Sequence, residues 1–371
     1  MTTPNLYSFA TKELAQDATI AYILAWADPK YRQSHPRLHA LGTKLLCSLL
    51  RTQEIDIPII KTLRIKTQVT LRIKTQNVRI DILVRINMDQ NANRIILIIE
   101  DKVGTTEHSN QIKYYKKAVE RNYKGCYEHL VAVYLKTGNE SKEYLPPKNK
   151  CGSFMRRDLL DVMDGFQNTQ NTIVNDFRTH LQRWEDNTNR WKSECYRKWQ
   201  WQQWEGFYSA LESMWRKKGD WCGWVYYPNP KKGFLACWLY DGQQGEFNQI
   251  QTQYGYVELF MQIHDAMRLT VRLGSGNTGH NVTNLLMWQV FNVLRQINGN
   301  TSSDIRIKKA GVFRGGKGGA VADITFGNPD PWFAVDSKGI VNMDATVKRL
   351  CRVQELLRKV VEHLNQQGIV I

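Results

Sequence analysis

Three residues have the types and spacing that chemistry would need: Asp81, Glu100 and Lys102. Asp81 lies in VRIDILVRI (78–86). Glu100-Asp101-Lys102 closes RIILIIEDK (94–102), after eighteen intervening residues. Both segments read as strands, and the second is apolar enough to be central in a sheet. Alternation puts Glu100 and Lys102 on one side and Asp101 on the other. A neighbouring strand can bring Asp81 alongside them. Two carboxylates and an ammonium at one sheet edge suit phosphodiester hydrolysis. Carboxylates bind Mg²⁺, or Mn²⁺ in its place, which polarises a phosphate and helps ionise a water. The lysine would orient that water and offset charge in the transition state. Three charges closing an apolar strand are also costly unless they meet water, a metal or each other.

The elements around this set can be read from period and punctuation. KELAQDATIAYILAWAD (12–28) reads as a first helix, with Thr11 as its cap and Glu13 in its opening turn. Asp17, one turn on, reads as a surface charge. A second apolar helix covers 38–50, after Pro29 and Pro36. Residues 62–76 repeat T-L-R-I-K-T-Q in tandem, a duplication that lengthens a strand or hairpin. Strict alternation would put Arg64, Lys66, Arg72 and Lys74 on one exposed face. A helix over about 109–122 and a buried strand over 129–136 follow. The resulting order (helix, helix, strand, strand, strand, helix, strand) predicts a mixed α/β core.

On these residues the sequence resembles the PD-(D/E)XK nuclease superfamily. Asp81 in RIDILV and Glu100-Asp101-Lys102 in LIIEDKVG carry the motif, with Ile80 where the motif name has proline. Gln111 and Tyr115 in NQIKYYKKAV match the Q-x-x-x-Y feature of its exonuclease-like branch, and Glu13 matches the helical glutamate of a bacterial branch. The resemblance covers about residues 8–165. It implies a restriction-endonuclease-like core, a mixed central sheet flanked by helices. It also implies Asp81, Glu100 and the Asp101 carbonyl as metal ligands, with Glu13 completing the metal shell and Lys102 as the catalytic lysine. Gln111 would steady the catalytic edge, while Lys113, Tyr115 and Lys116 would contact nucleic acid. Gln111 and Tyr115 equally suit a polar and a packing residue of an amphipathic helix.

Composition is consistent with a polyanionic partner. The net charge is +16, and residues 1–160 hold 26 of the 51 Lys/Arg but only 15 of the 35 Asp/Glu. A basic surface attracts phosphate. DNA is the expected substrate and RNA the alternative. The seven cysteines show no C-x-x-C pair, which argues against a zinc ribbon or a disulfide framework. No signal peptide or membrane-length apolar run is evident, so the cytosol is the expected setting, with no membrane partner.

A composition shift near Gly165 places the domain boundary there: a nuclease domain over 1–165 and an aromatic-rich α+β domain over 166–371. The second domain holds eleven of the twelve tryptophans. A long aromatic helical stretch over 187–217, several short strands, a hairpin around 312–335 and a final helix over 344–365 are expected in it. The spacing of Trp191, Trp199, Trp204 and Trp215 suits helix packing. Substrate recognition, ligand sensing and homo-oligomerisation are its candidate roles. Asp323 with Asp336-Ser337-Lys338 imitates the D…DxK pattern, but lacks the helical Glu before and the Q-x-x-x-Y after. The reading is a Mg²⁺-dependent deoxyribonuclease, with defence against foreign DNA implied by the resemblance. The alternative is a decayed nuclease core serving as a non-catalytic nucleic-acid-binding or regulatory and assembly protein.

Overall fold

Helical spacing in the first half resolves, in the computed structural model, into α1 (Glu13–Ala25) and α2 (Pro36–Arg51). Alternating and apolar runs become β1 (Leu63–Ile73), β2 (Gln76–Ile86) and β3 (Ile95–Lys102). Then come α3 (Gln111–Asn122), β4 (His129–Lys136), β5 (Gly152–Met155), α4 (Arg156–Asp164) and α5 (Thr172–Asn189). The structure describes residues 4–10, 12–56, 59–73, 76–105, 111–147, 149–167, 169–228, 233–243, 245–264, 268–276, 282–300, 304–313, 316–327 and 331–368. Thr11, Lys74, Ser109 and Arg314 lie outside these residues.

The first sheet has the order β1-β2-β3-β4-β5. β1, β2 and β3 are antiparallel neighbours, while β3, β4 and β5 run parallel. Every residue of β3 is buried, as its apolar run requires of a central strand. Ile95, Leu97 and Ile99 face a core shared with α1, α2, α4 and α5, and Ile96 and Ile98 face a smaller core under α3. This is the mixed, helix-flanked sheet that was expected. β5 was not foreseen, because its four residues carry too little alternation to stand out.

The repeat does form one long hairpin, with Ile73 opposite Gln76. It does not put its basic residues on one face. Gln68 adopts the left-handed region (φ 54°), which reverses the alternation at the centre of β1. Leu63 and Ile65 therefore pack into the larger core, whereas Val69, Leu71 and Ile73 pack into the smaller one. Arg64 and Lys66 then emerge on the face opposite to Arg72.

The chain divides into two units: Met1–Glu140 with Tyr144–Asp186, and Ser141–Glu143 with Asn187–Ile371. The division falls after Asp186 rather than near Gly165, because α5 buries Val174, Phe177 and Leu181 in the first unit's larger core. The composition shift near Gly165 therefore falls inside the first unit and not at its end.

The second unit contains α6 (Trp201–Lys217), β6 (Cys222–Tyr227), β7 (Phe234–Leu239), β8 (Gln249–Thr252), β9 (Gly255–His264) and β10 (Arg268–Gly274). α7 (Asn284–Gly299), β11 (Ile305–Lys309), β12 (Gly318–Phe326) and α8 (Met343–Gln367) follow. Its antiparallel sheet has the order β11-β12-β10-β9-β7-β6, with β8 on β9. The stretch 187–217 is not one helix, since short 3₁₀ turns at Arg190–Lys192 and Tyr196–Lys198 precede α6. Trp191, Trp199, Trp204 and Trp215 are all buried in the core of this unit.

Candidate active site

β3 carries its last three charges out of the sheet's centre, and each face of the strand gathers a different set of groups. On the α3 face Glu100 is wholly buried. Lys102 Nζ stands 2.5 Å from Glu100 Oε1 and 4.0 Å from Asp81 Oδ2. Tyr115 brings its hydroxyl toward Glu100, and Gln111, one helical turn earlier, hydrogen-bonds that hydroxyl. Burial raises the Tyr115 hydroxyl, and the charges of Glu100 and Asp81 raise it further. Burial first, and Asp81 second, push Glu100 up to about 7, against the pull of Lys102 and Tyr115. Burial opposes the charge on Lys102, but Glu100 more than offsets it, so the ammonium is held above its ordinary range.

On the α1 face the groups are different. Asp101 accepts from Gln16 Nε2 at 2.6 Å, and Asp17 accepts from Gln68 Nε2 at 2.6 Å. Burial raises both carboxyls, Asp17 to about 6 with the charge of Asp81 adding to it, and Asp101 well above its ordinary range with the charge of Asp17 adding to it. The two carboxyls also meet each other across this face. Gln16 Oε1 also accepts from the Thr137 hydroxyl at 2.7 Å, and Arg156 Nη1 donates to the Thr137 carbonyl at 2.5 Å. Asp17 is 3% exposed, so it is part of this buried network and not a surface charge.

Asp81 joins the two faces. Its Oδ2 accepts the Asp101 backbone N–H at 3.1 Å, and its Oδ1 lies 3.4 Å from Gln68 Nε2. Glu13, at the start of α1, accepts the Val103 N–H at 3.1 Å and the Thr105 hydroxyl at 3.2 Å. It thus anchors the chain just past β3. Gly138 packs against the same place: a Cβ there would stand 1.9 Å from the Val103 carbonyl oxygen. Lys136, opposite Lys102 in the parallel register, is buried with its ammonium on the Thr105 carbonyl.

The donor set suits a hard divalent cation. Asp81 and Glu100 supply oxygen, and neither Glu100 oxygen completes a well-directed hydrogen bond despite full burial. Among the described residues no three His, Cys, Asp or Glu side chains form a ready-made ligand cluster. A cation here would therefore rest on these two carboxylates and main-chain oxygen. The Asp101 side chain is committed to Gln16 and Asp17, which leaves only its carbonyl for that part.

The sequence-derived residues converge on this edge: Glu13, Asp81, Glu100, Lys102, Gln111 and Tyr115 all surround the end of β3. Lys113 is exposed on α3, and Lys116 donates to the Lys150 carbonyl at 2.5 Å. Both line a cavity of about 390 Å³ together with Lys117 and Lys150. Gln16, Gln68, Thr137 and Lys136 were missed. For Gln16 and Asp17 a signal existed, since they follow Glu13 at helical spacings of three and four. For Gln68 none did, because the second repeat copy puts its equivalent, Gln76, at the hairpin turn.

The imitation in the second unit comes apart. Asp323 is held by Arg268 at 2.9 Å and by the Thr270 hydroxyl at 2.9 Å. Asp336 is not on a strand beside it; its carboxylate accepts the N–H groups of Lys338 and Ile340 within its own turn.

The model of the PD-(D/E)XK nuclease superfamily matches residues 4–205, over half of the chain. The chain belongs to that superfamily. Among solved structures, the MspJI restriction endonuclease in complex with a 27-mer oligonucleotide is similar at 16% identity and a TM-score of 0.15. The match covers 45% of this chain and 32% of that chain, so it spans about a third of that enzyme. No curated protein matches. Among the described residues no helix is long and apolar enough to cross a membrane.

Proposed function

We propose that this chain is a Mg²⁺-dependent nuclease, with Mn²⁺ able to substitute, that hydrolyses phosphodiester bonds in DNA as a defence against foreign DNA. The observation that carries the reading is the meeting of Glu100, Lys102 and Asp81 at the end of β3, with Lys102 Nζ 2.5 Å from Glu100 and both Glu100 oxygens buried. A bound divalent cation would supply charge to polarise the phosphate and acidify a water. Asp81 and Glu100 would hold it, with the Asp101 carbonyl. Glu13 would complete its surroundings, as a carboxylate already fixed to Val103 and Thr105. Lys102 is charged and sits at the edge. It would orient the attacking water and offset charge developing on the phosphate. Gln111 and Tyr115 would keep Glu100 in place, and Tyr115, buried with its hydroxyl toward Glu100, would do this instead of the nucleic-acid contact expected of it. Lys113 and Lys116, along α3, supply cationic contacts to the strand's phosphates.

The deciding assay is cleavage of linear, circular and single-stranded DNA and of RNA with Mg²⁺, Mn²⁺ or EDTA, wild type beside Lys102→Ala. Metal-dependent cleavage by the wild type and none by the variant is expected. Cleavage that persists in EDTA, or in Lys102→Ala, refutes the mechanism.

A further inference from the structure

The sheet of the second unit has two dissimilar faces. Leu235 and Cys237 of β7, Leu259 and Met261 of β9, and Leu269 and Val271 of β10 point into the core that also holds side chains of α6, α7 and α8. The alternate residues of the same strands are aromatic, cationic or amide-bearing: Phe234, Trp238, Phe260, Gln262 and Arg272. They line a cavity of about 410 Å³ with Tyr227 and Lys317. That volume falls in the ligand-site range of roughly 300–1,000 Å³.

The cavity's walls are rings in contact. Tyr227 stacks on Phe234 with centroids 5.7 Å apart and planes 20° apart, and meets Trp238 edge-on at 5.4 Å. Two polar groups open into it. Gln262 is only 5% exposed, yet among the described residues its side chain makes no hydrogen bond. Among the same residues Arg272 has no carboxylate within ion-pair distance, although burial lowers its pKa. Glu258, two residues before Phe260 on the same face, makes no ion pair with it and lines a neighbouring cavity. The amide and the guanidinium are therefore presented, among aromatic rings, to whatever enters the cavity.

The chemistry these groups match is that of a nucleotide. Aromatic walls accept a nucleobase by stacking, an amide reads its donor and acceptor edge, and two cations take its phosphate. A sugar needs no cation, and an apolar peptide needs neither Gln262 nor Arg272. A duplex keeps its bases stacked on each other, away from the rings. We infer that this cavity holds an unpaired nucleotide of a single-stranded nucleic acid, its base against Tyr227, Phe234 and Trp238, its edge on Gln262 and its phosphate on Arg272 and Lys317. The nuclease reading enters only in the expectation of a polynucleotide.

The test uses the full chain in EDTA and a fluorescein-labelled single-stranded DNA, read by anisotropy and by tryptophan quenching. The single strand should bind about ten-fold or more tighter than the duplex of the same sequence. Arg272→Met and Gln262→Leu should each weaken it about ten-fold, the size of one lost charge-assisted or buried hydrogen bond, without lowering Tm. Unchanged affinity in both variants, or a Tm that falls in both, overturns the inference, since the second outcome marks a structural role. Equal affinity for a mononucleotide and the strand overturns the strand as the occupant. Binding in EDTA separates the two proposals: it bears on this cavity alone, whether or not the first unit cleaves in Mg²⁺.

Discussion

Replacing Glu100 with glutamine should stabilise the folded chain at alkaline pH while ending catalysis. The carboxyl is wholly buried, and burial together with Asp81 holds it up at about 7 against an ordinary 4.5. The neutral form is therefore the one the fold prefers. Its contribution to stability is fully present below pH 4.5 and is lost as pH rises through about 7. At about 1.4 kcal/mol per pH unit, the penalty above pH 7 is roughly 3 kcal/mol. Glutamine never ionises, so it escapes that penalty. Part of the gain is returned because Lys102 loses its nearer partner and keeps only Asp81, at 4.0 Å. A net gain of about 1–3 kcal/mol near pH 8 should appear as a rise in Tm of about 2–4 °C per kcal/mol. Thermal melts of wild type and Glu100→Gln in EDTA, across pH 4.5 to 8, measure it. The two should converge at the acid end and separate through pH 7. Adding Mg²⁺ should raise the wild-type Tm and leave the variant's in place, since ligand stabilisation requires the site. A variant less stable than wild type at pH 8, or a difference independent of pH, would refute the electrostatic account of Glu100.

Other expectations follow from the same geometry. Tyr115→Phe removes a hydroxyl that holds Glu100 down, so the acid limb of the pH–rate profile should move up; an unmoved limb contradicts the contact. Gly138→Ala places a methyl 1.9 Å from the Val103 carbonyl, and should cost about 1–3 kcal/mol and lower turnover by shifting the strand end that Glu13 grips. Wild-type Tm in that variant would show that the loop yields freely. Asp336→Ala should leave cleavage unchanged while lowering Tm slightly, because the carboxylate serves its own turn; lost cleavage would reinstate the second D…DxK set.

The motif was legible because its meaning is local. Strand alternation fixes that Glu100 and Lys102 share a face and that Asp101 does not, and helical spacing fixes that Gln111 and Tyr115 do. The apolar run before Glu100 required a central strand, and the structure has one. Helix and strand order, the mixed α/β core and the packing role of the tryptophans followed from the same periodicities. The imitation at Asp323 and Asp336 was distinguishable by its missing neighbours.

What the sequence could not show depends on two segments meeting. Nothing in T-L-R-I-K-T-Q announces that its first copy bends at Gln68 and sends that amide to Asp17 and Asp81, while the second copy turns a hairpin. Asp17 looks like any helical surface carboxylate until Asp101 and Gln68 close over it. The composition shift near Gly165 looks like a domain boundary until the helix after it is seen filling the first unit's core. Local patterns fix which side of an element a residue takes. Only the tertiary fold decides what lies across from it, and the Glu100, Asp17 and Asp101 carboxyls take their altered acidity from those neighbours and the burial they impose.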